Sequence, residues 1–508
     1  MSQAIPVLIG VGQATVRDEP LDALSKPLDL MELSARRAAA DAGVHDAVLA
    51  EIDQLAVVKS FREPTSDTPA SLAARLGASD AQGWLMPDGG QSPQWLVNHY
   101  AEAIADGGAR LVLLAGGEAI DNARRILKSG DKPRWREAPD SEAQYLIADK
   151  PMGTAHESAH GIWRANHVYP LFENALRGAY GEDIPTYQQT LGQLFARFSE
   201  VAAGAEHAWF PIARTPEEIA APTGRNRFVA FPHTKFMNAM NQINQGAALL
   251  LTSTEHARTM GVPESRWVYL HGCADTVERG FMSGRVNYHS APAVKVLGKQ
   301  ALAMAKRTIA DMDYIDIYSC FPCAVAIARD ELGIARDDPR PLTVTGGLPF
   351  HGGAGNNYSM NAIAAMADRL RAAPGTFGWV SANGGYLSKH SAGVYSTTPI
   401  TGQWRREQAA SYQREIDALP APELVEQPSG SGWIETYTVT FGRDGSPERG
   451  IVIGRLGEEK SADAPRFLAN LPADQGLLDS VTERDFLDMR GTVENNGDIN
   501  VFRPMPPH

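Results

Sequence analysis

The chain has 508 residues, 43% hydrophobic and 21% charged, an ordinary balance for a globular protein too long to fold around one small core. Its formal net charge of −13 argues against a nucleic-acid or anionic-membrane partner and leaves small molecules as the expected ligands, anions included where a local basic pocket exists. Three cysteines, Cys273, Cys320 and Cys323, have no paired spacing that suggests a disulfide framework or a zinc site, and they point to a reducing cytoplasm.

The opening MSQAIPVLIGVGQ has no basic stretch before its apolar residues, so it reads as a strand and not as a signal peptide. No apolar run reaches membrane-spanning length, which predicts no membrane insertion. Residues 5–12 read as a buried strand, 28–43 as an amphipathic helix, 52–59 (IDQLAVVK) as a strand, 93–106 as a helix and 109–114 as a strand ending at Gly116-Gly117. That alternation predicts parallel α/β layers.

The pattern returns late in the chain. An Ala-rich helix at 297–312 leads into MDYIDIY at 312–318, which aligns without a gap with IDQLAVV at 52–58. The strand-like 341–344 is followed by TGGLPFHGGAGNN at 345–357. A helix at 358–372 and a strand at 377–382 then end at Gly384-Gly385, matching the helix, strand and Gly116-Gly117 of the first half. Two similar α/β halves are expected. Residues 121–228 break the rhythm and read as an inserted domain, with a polar, aromatic-bearing helical stretch at 169–203. The expected division is 1–120 and 229–264 for the first half, 121–228 for the insertion, 265–402 for the second half and 403–432 for a linker. Residues 433–508 are expected as a small β-rich domain of the OB type.

The stretch 345–357 is the chemical focus of the sequence. Its glycines permit positive φ angles and close backbone approach around His351, and no Gly-Lys-Ser/Thr follows to make it a nucleotide-phosphate loop. Four segments, GGQSPQW (89–95), YSCF (318–321), 345–357 and ANGGY (382–386), occur in an order that resembles the thiolase superfamily, closest to its sterol-carrier-protein-type and thiolase-like branches. NAMNQINQGAA (238–248) resembles that family's NASxxNDGAA signature with one extra residue. The resemblance covers about residues 1–400.

This resemblance implies a five-layer αβαβα core, an inserted loop domain that holds the CoA moiety, and Claisen-type acyl transfer on acyl-CoA thioesters. It implies no cofactor beyond coenzyme A as part of the substrate, and a homodimer or a partner subunit as the assembly. Residue by residue the match departs from the family's chemistry. The nucleophile position falls on Gln91, the histidine of GHP on Gly353, the second cysteine on Ala382, and the first two residues of HDCF on Tyr318 and Ser319. The remaining candidates are Cys320 as an activated thiol, His351 and His390 as its base, and Tyr318 as a donor or acid. Gly353, Asn356, Asn383, Gly384 and Gly385 are candidates for the oxyanion and turn framework. No metal ligand set is expected. Three functions stay open at this point: a thiolase-like acyltransferase, a non-catalytic CoA-ester-binding or partner subunit, and a carbon–carbon lyase acting on a CoA ester.

Overall fold

A computed structural model describes residues 4–62, 65–138, 141–461 and 463–505. The first half runs β1 (Pro6–Thr15), α1 (Pro27–Asp41), β2 (Gln54–Val58), β3 (Gln82–Met86), α2 (Ser92–Ala105) and β4 (Leu111–Ala119). Helix α1 begins at a proline, and the Asp29 carboxylate accepts the Lys26 N–H at 2.8 Å, which satisfies one exposed donor at the helix start. Its inner face is small, with Ala35 and Ala38 wholly buried. Strand β1 meets that face through glycine: a Cβ on Gly10 would lie 2.1 Å from the Ala38 carbonyl oxygen, and one on Gly12 would lie 2.0 Å from that of Ser34. Glycine there sets how closely the outer helix layer sits on the sheet.

The insertion contributes α3 (Ala165–Tyr180), α4 (Ile184–Ala203) and the short strands β5 (Phe228–Ala230) and β6 (His233–Thr234). The helical stretch expected at 169–203 is therefore two helices, divided at Gly181, whose φ of 67° caps the first in the left-handed region. Strand β7 (Asn244–Ser253) completes the first half.

The second half runs β8 (Val268–Val277), α5 (Pro292–Ala305), β9 (Tyr314–Ile317), α6 (Pro322–Glu331), α7 (Tyr358–Ala372), β10 (Phe377–Gly384) and β11 (Lys389–Ser396). The strands hydrogen-bond in the order β3-β2-β4-β7-β1-β8-β11-β10-β9. On one side β2 and β4 are parallel while β7 is antiparallel to both β4 and β1; on the other β9 and β10 are parallel while β11 is antiparallel to both β10 and β8. The two halves thus repeat one connectivity, and they meet where β1 pairs with β8 over Val7↔Tyr269 and Leu8↔Val268. Helices α2 and α7 contact strands of both halves and each other, while α1 covers the first half and α5 the second. Layers of helix, sheet, helix, sheet and helix follow.

One expected strand is missing. Residues 341–344 have no ladder: Pro339 and Pro341 lack N–H groups, and the Val344 N–H donates to the Asp316 carboxylate at 2.9 Å instead of to a neighbouring strand. Among the described residues the one backbone bond of this stretch to β9 is the Leu342 carbonyl accepting the Ile317 N–H at 3.0 Å. At the opposite edge β3 is flanked by an irregular segment, with the Leu85 N–H donating to Gln144 at 2.8 Å and the Leu146 N–H to Leu85 at 3.0 Å.

After α8 (Ala409–Asp417) the chain forms a barrel of β12 (Gly430–Phe441), β13 (Pro447–Leu456), β14 (Arg466–Asn470), β15 (Arg490–Asn495) and β16 (Asn500–Pro504). The order β13-β14-β16-β15-β12 closes through β12–β13, the arrangement of a small OB-type barrel. Strand β5 of the insertion extends it, pairing Ala230 with Thr440, so the barrel and the insertion share one sheet.

Candidate functional site

Between the insertion and the two halves lies a cavity of about 580 Å³. Tyr318 and Cys320, just past β9, form its floor, together with Asn383 and Gly384 at the end of β10 and Asn356 from the glycine stretch. Gly89 and Gly90 close another side. Gly90 has to be glycine, because a Cβ there would sit 2.1 Å from the Tyr318 hydroxyl and 2.6 Å from the Asn383 carbonyl oxygen. Gly355, at φ 57°, turns the chain so that Asn356 meets the segment 88–89. The Asn356 amide then donates to the Lys59 carbonyl at 2.9 Å and to Asp88 at 3.0 Å, and its oxygen accepts the Gly89 N–H at 3.0 Å. With these bonds made, Asn356 builds the wall and offers no free donor to a ligand.

The insertion supplies the group that organises the floor. Tyr169, on α3, has its hydroxyl 3.3 Å from Asn383 Oδ1, 3.3 Å from the Gly385 carbonyl and 3.1 Å from the Leu387 N–H. Asn383 Nδ2 in turn lies 3.7 Å from Cys320 Sγ. Phe321 stacks on the Tyr169 ring at 4.4 Å. Burial pushes the Cys320 thiol up to about 12, and the opposing hydrogen bonds from Tyr169 and Asn383 do not offset it. Cys320 is therefore a neutral thiol at physiological pH. Burial likewise raises the Tyr318 phenol, which keeps its proton. Its hydroxyl has no hydrogen-bond partner among the described residues and lies on the cavity surface.

The two candidate histidines lie elsewhere. His351 is wholly buried, with both ring nitrogens unpartnered and its ring edge-on to Tyr358 at 5.9 Å. Burial, with His207 and Arg17 nearby, lowers it to about 3. His390 is buried with Nε2 3.2 Å from the Leu387 carbonyl, and burial together with Arg285 lowers it to about 3. Both rings are neutral, and neither lines the cavity that holds Cys320. Gly353 is a backbone fixture, its N–H donating to Met240 at 3.0 Å. Gly385, at φ 65°, turns the chain at the cavity wall. Gln91 stands at the start of α2 with its Oε1 buried and without a donor.

Sequence reasoning did not single out Tyr169, Asn238, Asn241, Arg164 or Lys235, which also line the cavity. Asn238 and Asn241 sit in the quoted NAMNQINQGAA segment, so a signal existed for them. Tyr169 and Arg164 come from the insertion and Lys235 from the segment that follows it, and none of them carries a motif.

Beneath the floor, Glu173, His233 and Cys323 place ligand-type atoms within 4.8 Å of one another. The carboxylate is already satisfied: His233 Nε2 lies at 2.7 Å, the Cys323 N–H at 2.7 Å and the Tyr187 hydroxyl at 2.6 Å. The group is a hydrogen-bonded joint between α3, α4, β6 and α6.

Comparison with known proteins places these observations. Residues 411–498 match the thiolase-like protein type 1 additional C-terminal domain. The peroxisomal thiolase of Saccharomyces cerevisiae aligns over 77% of this chain and 97% of its own at 12% identity and a TM-score of 0.55. An Ltp2–ChsH2(DUF35) aldolase aligns over 78% of this chain and 99% of its own at 18% identity and a TM-score of 0.59. These likenesses concern the fold, and the fold is that of the thiolases. A monomeric SCP2-thiolase-like protein type 1 from Mycobacterium smegmatis is 37% identical over 99% of both chains, with a TM-score of 0.85. The chain belongs to the SCP2-thiolase-like protein type 1 family. No curated protein matches the sequence.

Proposed function

We propose that the chain binds an acyl-CoA thioester in the Tyr318–Cys320–Asn383 cavity and handles it without forming an acyl-enzyme. One observation carries the reading: the cysteine on the cavity floor is a buried thiol held near 12, with no histidine in the lining, and the nucleophile position holds Gln91. A thiolate is what attacks a thioester, and this site supplies none near neutral pH. It supplies a donor. The Tyr318 hydroxyl faces the floor, where a thioester carbonyl accepts a hydrogen bond and is polarised, while the Asn383 amide beside it is engaged with the Tyr169 hydroxyl at 3.2 Å and Cys320 Sγ at 3.7 Å. Arg164 and Lys235, both exposed, bring positive charge to the same cavity in a chain of net charge −13, which suits the phosphates of coenzyme A.

The test is calorimetry of the full chain with acetyl-CoA and octanoyl-CoA, with intact-mass measurement after incubation. Saturable one-to-one binding without a mass increase is expected. An acyl adduct that disappears in Cys320→Ser would overturn the non-covalent reading and support acyl transfer.

A second reading is favoured by the unpartnered Tyr318 hydroxyl: retro-aldol cleavage of a 3-hydroxyacyl-CoA, in which the 3-hydroxyl gives its proton to solvent, the C2–C3 bond breaks to leave an aldehyde or ketone, and its electron pair forms an enolate whose thioester oxygen accepts a hydrogen bond from Tyr318. Turnover kept in Cys320→Ala and lost in Tyr318→Phe would support it, whereas binding without turnover in a panel of 3-hydroxyacyl-CoA esters would remove it.

A further inference from the structure

A second cavity, of about 710 Å³, opens on the far side of the strap 87–91. The strap separates the two: Pro87 and Gln91 face the second cavity, whereas Asp88, Gly89 and Gly90 face the first. Other walls come from the end of β8, the start of β11 and helix α8, which contributes Ala409 and Gln413. That helix overlaps the start of the additional C-terminal domain, so the cavity is partly built by it.

Three acids and three bases line this cavity, and they are not paired with one another. Asp275 is paired with Arg406 at 2.6 Å, and Glu278 has Arg285 at 3.5 Å while accepting the Ala293 N–H at 2.8 Å. Lys150, Arg279 and Lys389 also line the cavity, and among the described residues none of them has a carboxylate within ion-pair distance. Arg279 is held by the Leu419 carbonyl, and Lys389 Nζ donates to the Asp88 carbonyl at 3.0 Å. The third acid, Asp417, accepts from Gln413 at 3.0 Å, and Asp149 and Asp88 act on Lys389 from beyond ion-pair distance. Between the charges the surface is apolar, through Trp95, Ile147 and Val277, and Val277 is 43% exposed. At the inner end lies Gln91, 5% exposed, whose Oε1 has no donor.

We infer that this second cavity is a binding site for a small amphipathic carboxylate, its anionic head at Lys150, Arg279 and Lys389 and its apolar body along Trp95, Ile147 and Val277. A cationic cluster in an otherwise acidic chain draws anions, and an apolar wall beside it favours a hydrocarbon or aromatic body over inorganic phosphate. The site is independent of the thioester reading, because its residues other than those of the strap are not shared with the first cavity.

Octanoate is the probe, titrated by calorimetry into the full chain beside 1-octanol and octylamine. Saturable one-to-one binding of octanoate is expected, with the alcohol at least tenfold weaker and the amine without binding. The double variant Lys150→Ala/Arg279→Ala, checked by circular dichroism, is expected to weaken octanoate at least tenfold and to leave acetyl-CoA binding within twofold. Equal affinity for octanol, no saturable octanoate binding, unchanged binding in a folded double variant, or competitive displacement of octanoate by acetyl-CoA would each overturn the assignment. Failure of acetyl-CoA to bind while octanoate binds would instead count against the thioester reading alone.

Discussion

Asp316 lies wholly buried on β9, two residues before Tyr318, with the Val344 N–H at 2.9 Å and the Thr343 hydroxyl at 3.0 Å on its carboxylate. Burial outweighs these bonds and raises it from 3.8 to about 7. The unfolded chain therefore releases this proton near pH 4 and the folded chain near pH 7. The stabilising contribution of the protonated form is complete below about pH 4, declines across that window and is gone above it. A shift of about three units corresponds to up to about 4 kcal/mol. Asp316→Asn should flatten this part of the profile, so urea unfolding at pH 5 and pH 8 should separate the variant from the parent more at the higher pH. Equal separation at both values would refute the assignment. Gln91 offers a second case. A Cβ on Gly384 would lie 1.8 Å from Gln91 Oε1, so Gly384→Ala should destabilise by about 2 kcal/mol and Gln91→Ala should restore most of that loss. Additive effects in the double mutant would show that the two do not touch. The cavity floor was legible in the sequence only in part. YSCF and ANGGY located Tyr318, Cys320 and Asn383 because short ordered motifs fix strand ends. Histidine number and spacing did not reveal burial, and His351 and His390 are buried outside the lining of the cavity that holds the thiol, for reasons of packing that no local pattern records.

At the level of elements, the joint beneath the site ties four elements together. His233 of β6 and Tyr187 of α4 both bond Glu173 of α3, and the same carboxylate receives the Cys323 N–H at the start of α6. Removing one donor leaves a buried carboxylate underserved, so His233→Ala should cost about 3 kcal/mol, read as a lower urea midpoint with an unchanged slope. A change within 0.5 kcal/mol would argue that the joint carries no net stability. The strands of the two halves were readable because each is a short apolar run between turn residues, and the repeat of IDQLAVV by MDYIDIY reappears as the equivalent positions of β2 and β9. Strand 341–344 was misread because its apolar residues have strand character while Pro341 has no N–H and the Val344 N–H is taken by Asp316. The barrel's order was not readable at all, since parallel pairing of β14 with β16 depends on closure and not on either strand's composition.

On the scale of the whole molecule the barrel is anchored from several directions. Arg177 of α3 pairs with Asp485 at 2.6 Å, the Asn174 amide donates to the Tyr437 carbonyl at 2.9 Å, and Arg466 of β14 donates to the Ser283 carbonyl at 3.0 Å. Strand β5 adds backbone pairing. Core and barrel should therefore melt together, giving one calorimetric transition whose van't Hoff and calorimetric enthalpies agree. Two resolved transitions would mean that the barrel is an independent appendage.

Both outer strands of the large sheet lie beside irregular segments of their own chain, β3 against Gln144 and Leu146, and β9 against Leu342. An open strand edge is the place where another copy of a chain adds by backbone pairing, and here the chain is its own neighbour at both ends. The consequence is one of mass action: folding draws on no second molecule through these edges, so the melting temperature should be the same in dilute and in concentrated solution. Leu146→Pro, which deletes the donor to Leu85, should be the change that makes melting depend on concentration.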